Sequence, residues 1–328
     1  MKACNGRDSR MAFMGMAIWI RGARLKTLPL AVAPVLIGAS LAWHDAAGHR
    51  VVVAVLCGFV ALLLQIAANF ANDYSDGIRG TDAGRSVPVK DADDSAVSGK
   101  ATPSRGPARL VASGVNPKKV LAAAGISALT ACLCGLAVIA LTGYWWFILV
   151  GIACLVAGWF YVGGKHPYGY HYLGEVFVFV FFGLVATCGT MFALSGTISA
   201  SGLLGGSAAG LVAVAVLCVN NLRDIESDRN HGKHTWMTAM GLRNGTIFTI
   251  AILIISALIA LRHLLQSSIY AANGIPLIAI IAIIVILCAA QIAASYAIAR
   301  KTYCRALLFC TFDSLIVATI FVLSTMLA

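Results

Sequence analysis

Apolar runs of about 18 residues or more recur along the whole chain, and runs of that length are long enough to cross a bilayer as helices. Nine such segments are predicted, at residues 25–43, 51–74, 119–142, 145–163, 173–195, 202–222, 246–264, 275–299 and 306–327. Composition agrees. Mean hydropathy is +0.87 and only 11% of residues are charged, against about 25% in a soluble domain. The predicted fold is an all-α polytopic membrane protein of nine transmembrane helices.

The net charge of +11 does not indicate a nucleic-acid partner, because the basic residues are scattered among loops between apolar spans. Of the 24 lysines and arginines, all but Arg50 and Arg262 fall on one side of the nine-span arrangement. The positive-inside rule puts that side in the cytoplasm, with the N-terminus, and puts the C-terminus outside. The cell membrane is the expected location. Residues 1–24 are then a cytoplasmic tail without a convincing cleavage site, and 25–328 form one membrane domain. The ten cysteines lie mostly within apolar runs and lack metal-finger spacing, so they are expected to be small buried hydrophobes. Arg85 to Arg105, rich in Ser, Pro, Asp and Lys, is expected to be a disordered cytoplasmic insertion. Its aspartates are not counted as ligands. Spans seven to nine carry few polar groups and are expected to form a lipid-facing scaffold. Asp313 is assigned a structural role.

Two acidic clusters stand out, each where an apolar run ends on the cytoplasmic side. The first is Asn69-Phe-Ala-Asn72-Asp73-Tyr-Ser-Asp76-Gly-Ile-Arg79-Gly-Thr-Asp82. The second is Asn220-Asn221-Leu-Arg223-Asp224-Ile-Glu226-Ser-Asp228-Arg229. If the helices continue, Asn69, Asn72 or Asp73, and Asp76 share one face, and Asp224 and Asp228 lie one turn apart. Either cluster alone could be a solvated acidic loop. Their matched placement points instead to hard oxygen donors for magnesium facing one cavity. Arg79, Arg109, Lys165, Arg223, Arg229 and Lys233 are nearby cations suited to a metal-bridged anion such as diphosphate. With a membrane interior beside them, the substrate class is a polyprenyl diphosphate. A secondary transporter would bind ions near the bilayer midplane, which clusters at span ends disfavour. Glu175, at the mouth of a span, is expected to face the protein interior or a watery cavity.

These residues resemble the UbiA superfamily of intramembrane prenyltransferases. The resemblance rests on Asn72-Asp73-Tyr-Ser-Asp76 with Asp82, on Asn221-Leu-Arg-Asp224-Ile-Glu226-Ser-Asp228, and on Tyr161 with Lys165. Further stretches are similar to the branch that prenylates 1,4-dihydroxy-2-naphthoate. They are Ala23-Arg24-Leu-Lys26-Thr27-Leu28-Pro29, Gly106-Pro107-Ala108-Arg109-Leu110-Val111-Ala112-Ser113-Gly114, Lys165-His166-Pro167-Tyr168-Gly169-Tyr170 through Gly174-Glu175, and Gly232-Lys233-His234-Thr235. The insertion is longer than expected for the family.

The resemblance implies a helical bundle around a central cavity. It implies Mg2+ held by Asn72, Asp76, Asp224 and Asp228, and chemistry involving Asp73, Asp76, Asp224, Asp228, Lys165 and Tyr161. The diphosphate would meet Lys165, Lys233 and the arginines named above. The aromatic acceptor would meet Arg24, Asn69 and Asn221, with Asp82, Asn220 and Glu226 supporting from behind. Acceptors of sibling branches, such as 4-hydroxybenzoate, homogentisate or protohaem, are the rivals within the family.

Overall fold

The computed structural model describes residues 17–43, 45, 48–80, 109–164, 167–270 and 277–327. The Arg85–Arg105 insertion, Asp82 and Lys165 lie outside that set, so the readings made of them are not addressed by it. Among the described residues the chain is helical with no strand, apart from one isolated parallel bridge between His171 and His234.

Each predicted span coincides with a helix. The first is a bent pair. A stretch from Ala17 to Thr27 meets α1 (Pro29–Leu41) at 50°, across a tight turn entered at Arg24 with φ 53°. Pro29 stops one helix and starts the next, since proline suits the first turn, where no N–H partner is required. The others are α2 (Arg50–Arg79), α3 (Pro117–Thr142), α4 (Phe147–Val162), α5 (Gly174–Ser195), α6 (Ala200–Arg223), α8 (Trp236–Tyr270), α9 (Leu277–Ala299) and α10 (Tyr303–Leu327), with a short α7 (Ile225–Asn230) after α6. Seven of these are long and apolar enough to cross a membrane by themselves; the bent pair makes an eighth, and α4 has only 16 residues.

Helix α6 is the most buried span and forms the hub. Its alanines and valines pack against α1, α5, α8 and α10. Where α5 crosses it the backbones nearly touch. A Cβ on Gly183 would lie 2.4 Å from the Gly206 carbonyl oxygen and 2.6 Å from the Gly210 Cα. The spacing of Gly206 and Gly210 is the small-xxx-small pattern that lets membrane helices approach closely. Beside this contact α5 widens into a π-helical segment over Phe179–Val185. On the opposite flank α2 packs along α3, whose Leu129 and Leu133 remain exposed, as a lipid-facing surface requires.

The scaffold expectation for the last three spans needs correction. Helix α9 is largely exposed, but α10 packs on α1 and α6. Within the bundle Gln291 of α9 donates to both carboxylate oxygens of fully buried Asp313 on α10, at 2.9 Å each. A carboxyl group buried among helices needs a hydrogen-bond partner, and Gln291 provides it.

Two helices carry the acidic clusters. The 30 residues of α2 exceed the roughly 20 needed to cross, so the turns from Asn69 to Arg79 extend the helix past its apolar part. Gly80, at φ 73°, ends it in the left-handed conformation that favours glycine. On the other helix Asp224 (φ −100°, ψ 9°) breaks α6 from α7, and Gly232 (φ 67°) turns the chain back toward α8. Helix α8 is itself interrupted at Gly241, which adopts φ 76° and ψ 175°.

Candidate active site at two acidic helix ends

The acidic residues of α2 do two different jobs. Asp73, 1% exposed, accepts hydrogen bonds from the backbone N–H of Leu110 at 2.9 Å and of Val111 at 3.3 Å. Its two oxygens therefore hold the turn that begins at Arg109. Gly77 clears room for that turn, since a Cβ there would stand 2.4 Å from the Cβ of Val111. The turn in turn presents Arg109, whose Nη2 lies 3.5 Å from Asp76 Oδ2. Asp76, about one helical turn beyond Asp73, is thus the carboxylate offered to the site, with Arg109 at its edge. Asn69, 4% exposed, donates to the Ala23 carbonyl at 2.9 Å and to Thr27 Oγ1 at 3.3 Å, while Gln65 donates to it. It ties α2 to the Arg24 turn.

At the second helix end Arg223 grips Asp224 through Nε at 2.9 Å and Nη2 at 2.7 Å. The Arg223 side chain is only 6% exposed, and its Nη1 is buried without a hydrogen-bond partner. A buried guanidinium nitrogen with spare donor capacity suits a phosphate oxygen. Lys233 Nζ lies 3.2 Å from Asp228 Oδ2 and 3.5 Å from Asn221 Oδ1. The other end of the Asn221 amide donates to Glu175 Oε1 at 3.1 Å, and the Trp236 backbone N–H donates to the same oxygen at 3.3 Å. Burial alone would lower the pKa of Lys233, but Asp228, with its hydrogen bond, and Asp76 outweigh it, and the net shift is upward. The ammonium is therefore a fixed positive charge at neutral pH.

The same electrostatic environment joins the two ends. Asp76 of α2 and Asp228 of α7 both act on Lys233, and both lie within electrostatic range of the Tyr161 hydroxyl. Between them stands Tyr170, on the short connection between α4 and α5. The Arg79 guanidinium lies 5.4 Å from its ring centroid and the Lys233 ammonium 5.8 Å. Burial, with Asp76 adding to it, keeps the Tyr170 phenol above its ordinary pKa. Sequence reading overlooked Tyr170 as a linking group. The lone available signal was the tyrosine-rich interface stretch, which is also what an aromatic belt contains.

A backbone clasp fixes this connection over the site. Tyr172 N–H donates to the His234 carbonyl and His234 N–H to the Tyr170 carbonyl, both at 3.0 Å. Trp236 Nε1 donates to the Tyr172 carbonyl at 2.9 Å. Arg79 Nη2 reaches the Gly164 carbonyl at 2.8 Å. Tyr161, Tyr168 and Phe177 line up in successive ring contacts beneath, at centroid distances of 5.6 and 4.2 Å.

The remaining sequence candidates are placed as follows. Asn220 bonds back to the Val216 carbonyl at 3.1 Å. Exposed Arg229 bonds to the Thr238 carbonyl at 2.8 Å, and Glu226 is exposed. Asn72 is half-buried in the turn between Asn69 and Asp76, and Arg24 sits in the strained turn beside Ala23.

Among the described residues no three His, Cys, Asp or Glu side chains converge as a ready-made metal cage. Magnesium does not require one. It is usually held by one or two carboxylates, with waters and substrate phosphates completing its shell. The paired carboxylates at two facing helix ends, with the spare Arg223 donor for an anion, fit a metal carried in with a diphosphate.

The sequence profile of the UbiA prenyltransferase family matches residues 31–312. A 1,4-dihydroxy-2-naphthoate octaprenyltransferase from Mycobacterium leprae is 42% identical over 228 residues, 69% of this chain and 70% of that protein. Proteins of the same name from Escherichia coli and Haemophilus influenzae are 36% and 34% identical, covering 68% and 80% of this chain and 68% and 82% of their own. The apo structure of a UbiA homolog from Aeropyrum pernix K1 superposes with a TM-score of 0.63 at 14% identity, covering 92% of this chain and 98% of that one. That likeness establishes a shared fold.

Proposed function

The chain belongs to the UbiA prenyltransferase family, and from that premise we propose that it transfers a polyprenyl group to 1,4-dihydroxy-2-naphthoate with loss of the carboxylate. The product is demethylmenaquinone in its reduced, hydroquinone form, a step of menaquinone biosynthesis. The observation that carries the reading is the meeting of two acidic helix ends about Lys233 and Tyr170, in a multi-pass membrane protein whose curated relatives share that acceptor in their names.

Asn72, Asp76, Asp224 and Asp228 would hold Mg2+. When bound, magnesium supplies charge neutralisation for the departing diphosphate. The chain does the rest. Arg109, Arg223 and Lys233, each already at the edge of a carboxylate, meet the phosphate oxygens, and fixed donors that need no reorganisation favour charge building on the leaving group. Breaking the bond between the prenyl C1 and oxygen sends both electrons out with diphosphate and leaves an allylic cation. The rings of Tyr161, Tyr168 and Phe177 wall that region against water. Arg24, next to the Asn69 anchor, would orient the acceptor carboxylate. The electron-rich ring carbon bearing that carboxylate attacks C1, and loss of CO2 returns its electron pair to the ring.

Asp73 acts here by holding Arg109 in place, and Asn69 by holding the Arg24 turn. The N-terminus and active-site loops are assigned to the cytoplasmic side of the cell membrane.

The test is mass spectrometry of the lipid product formed by purified protein in lipid nanodiscs, supplied with a polyprenyl diphosphate, Mg2+ and one acceptor at a time. Prenylated, decarboxylated naphthoate is the expected product. Turnover of 4-hydroxybenzoate or homogentisate in its place would overturn the acceptor assignment.

A further inference from the structure

Glu175 is an acidic residue near the site to which the sequence analysis gives no part in the chemistry, yet it is 1% exposed. A buried carboxylate persists only when its hydrogen bonds are satisfied. Its donors are neutral, the Asn221 side-chain amide and the Trp236 backbone N–H. Asn221 belongs to the second acidic segment and Trp236 opens α8, while Glu175 begins α5 in the middle of the chain.

Asn221 is the informative partner, because its side chain has a direction. An ionised carboxylate only accepts, and a lysine ammonium only donates. Asn221 lies between one of each, with Glu175 at 3.1 Å and Lys233 at 3.5 Å. Only one orientation satisfies both, with the amide nitrogen toward Glu175 and the carbonyl oxygen toward Lys233. The reverse would set oxygen against oxygen and NH2 against NH3+.

We propose that Glu175 is a positioning residue that polarises a relay from Glu175 through Asn221 to Lys233, fixing the ammonium between Asn221 and Asp228 for the substrate diphosphate. The relay couples the mouth of α5 to a cation that contacts Asp228 and feels the charge of Asp76. The diphosphate clause rests on the function proposed above; the relay itself does not.

The experiment exchanges the polarity of the relay. Asn221→Asp points a second carboxylate at Glu175 and should raise the KM for polyprenyl diphosphate on the order of 100-fold, with kcat less affected, because an uncompensated buried charge is costly. Glu175→Gln keeps an acceptor for the Trp236 N–H but buries an idle NH2, and should raise KM about tenfold. The double variant Glu175→Gln/Asn221→Asp restores both contacts of the relay: the glutamine NH2 donates to the new carboxylate, whose other oxygen accepts from Lys233, and total charge is unchanged, while the Trp236 N–H, which shared Oε1 with Asn221, gives up its bond. Its KM should return to within about threefold of the parent. The pH profile of Lys233 amine labelling, read by peptide mass spectrometry in the same four proteins, follows the relay without reference to catalysis. It should shift in the singles and return in the double.

Multiplying KM defects in the double, or a labelling profile identical in all four proteins, would overturn the relay. Labelling that shifts and returns while KM never moves would uphold the relay and remove Lys233 from diphosphate binding. Should Asn221→Asp fail to fold, the double variant carries the test: folding recovered by Glu175→Gln is expected, and a double that also fails to fold overturns the relay.

Discussion

Asp73 and Asp76 lie three residues apart in one motif, and the structure predicts opposite phenotypes when each is neutralised. Asp73 holds two backbone N–H groups, at 2.9 and 3.3 Å, from a site 1% exposed. Hydrogen bonds to a charged acceptor are worth about 1.5–3 kcal/mol each. Asn retains one acceptor oxygen, which will take the shorter bond from Leu110. Its NH2 then faces the Val111 N–H, donor against donor, in a buried place. One bond is lost and one donor is stranded, so Asp73→Asn should cost about 2–4 kcal/mol of stability. Asp76 is partly exposed, with Arg109 at its edge, so Asp76→Asn should leave stability nearly unchanged while activity collapses. Thermal unfolding in detergent can be followed with a thiol-reactive dye, because Cys188, Cys218 and Cys310 are buried free thiols. Prenyl transfer is measured on the same preparations below the unfolding range. If Asp73→Asn unfolds at the parental temperature and is inactive only for want of turnover, then Asp73 takes part in the chemistry directly and its anchoring role is secondary.

Other outcomes are expected. Asp76→Asn and Asp224→Asn should each lower turnover by ~10²–10⁴, and their combination should be scarcely worse than either single, since groups acting as a unit are non-additive; full additivity across a magnesium titration would mean two separate sites. Arg223→Lys removes the paired nitrogens on Asp224 and the spare buried Nη1, and should raise the KM for polyprenyl diphosphate about tenfold, with an unchanged KM refuting the phosphate role. The pKa of Lys233 is raised above 10.5, so its stabilising contribution should be complete at neutral pH and fade only as pH rises through the higher folded value; unfolding midpoints of the parent and Lys233→Met should therefore converge only in strong alkali. Gly183→Ala forces a methyl group against the backbone of Gly206 and Gly210 and should cost about 1–3 kcal/mol, visible in the same melting assay.

The spans were legible because hydrophobicity at membrane length is a local property of the sequence. So were the two acidic helix ends, through helical spacing. Spacing alone could not divide labour between Asp73 and Asp76, because the N–H groups that engage Asp73 belong to residues 37 and 38 positions further along the chain. Arg229 looked like a phosphate ligand from its place beside Asp228, yet the short α7 turns it toward Thr238. Glu175 was readable as inward-facing from its position at a span mouth. Its partners were not, since the clasp of Tyr170 and Tyr172 on His234 that brings Trp236 near is a backbone contact no side-chain pattern announces. The role of Tyr170 was hidden for the same reason.

The anchoring of Leu110 and Val111 by Asp73 also bears on how this chain tolerates change in length. Gly80 caps α2, and those two hydrogen bonds hold Leu110 and Val111, so the described chain is fixed on both sides of positions 81–108. Closing a flexible loop costs entropy that grows only with the logarithm of its length, about 0.6 kcal/mol for each doubling. That is less than either bond to Asp73 contributes. A change in the number of residues between Gly80 and Arg109 therefore costs less than the anchors supply, and Arg109 is expected to stay at Asp76 whatever that number.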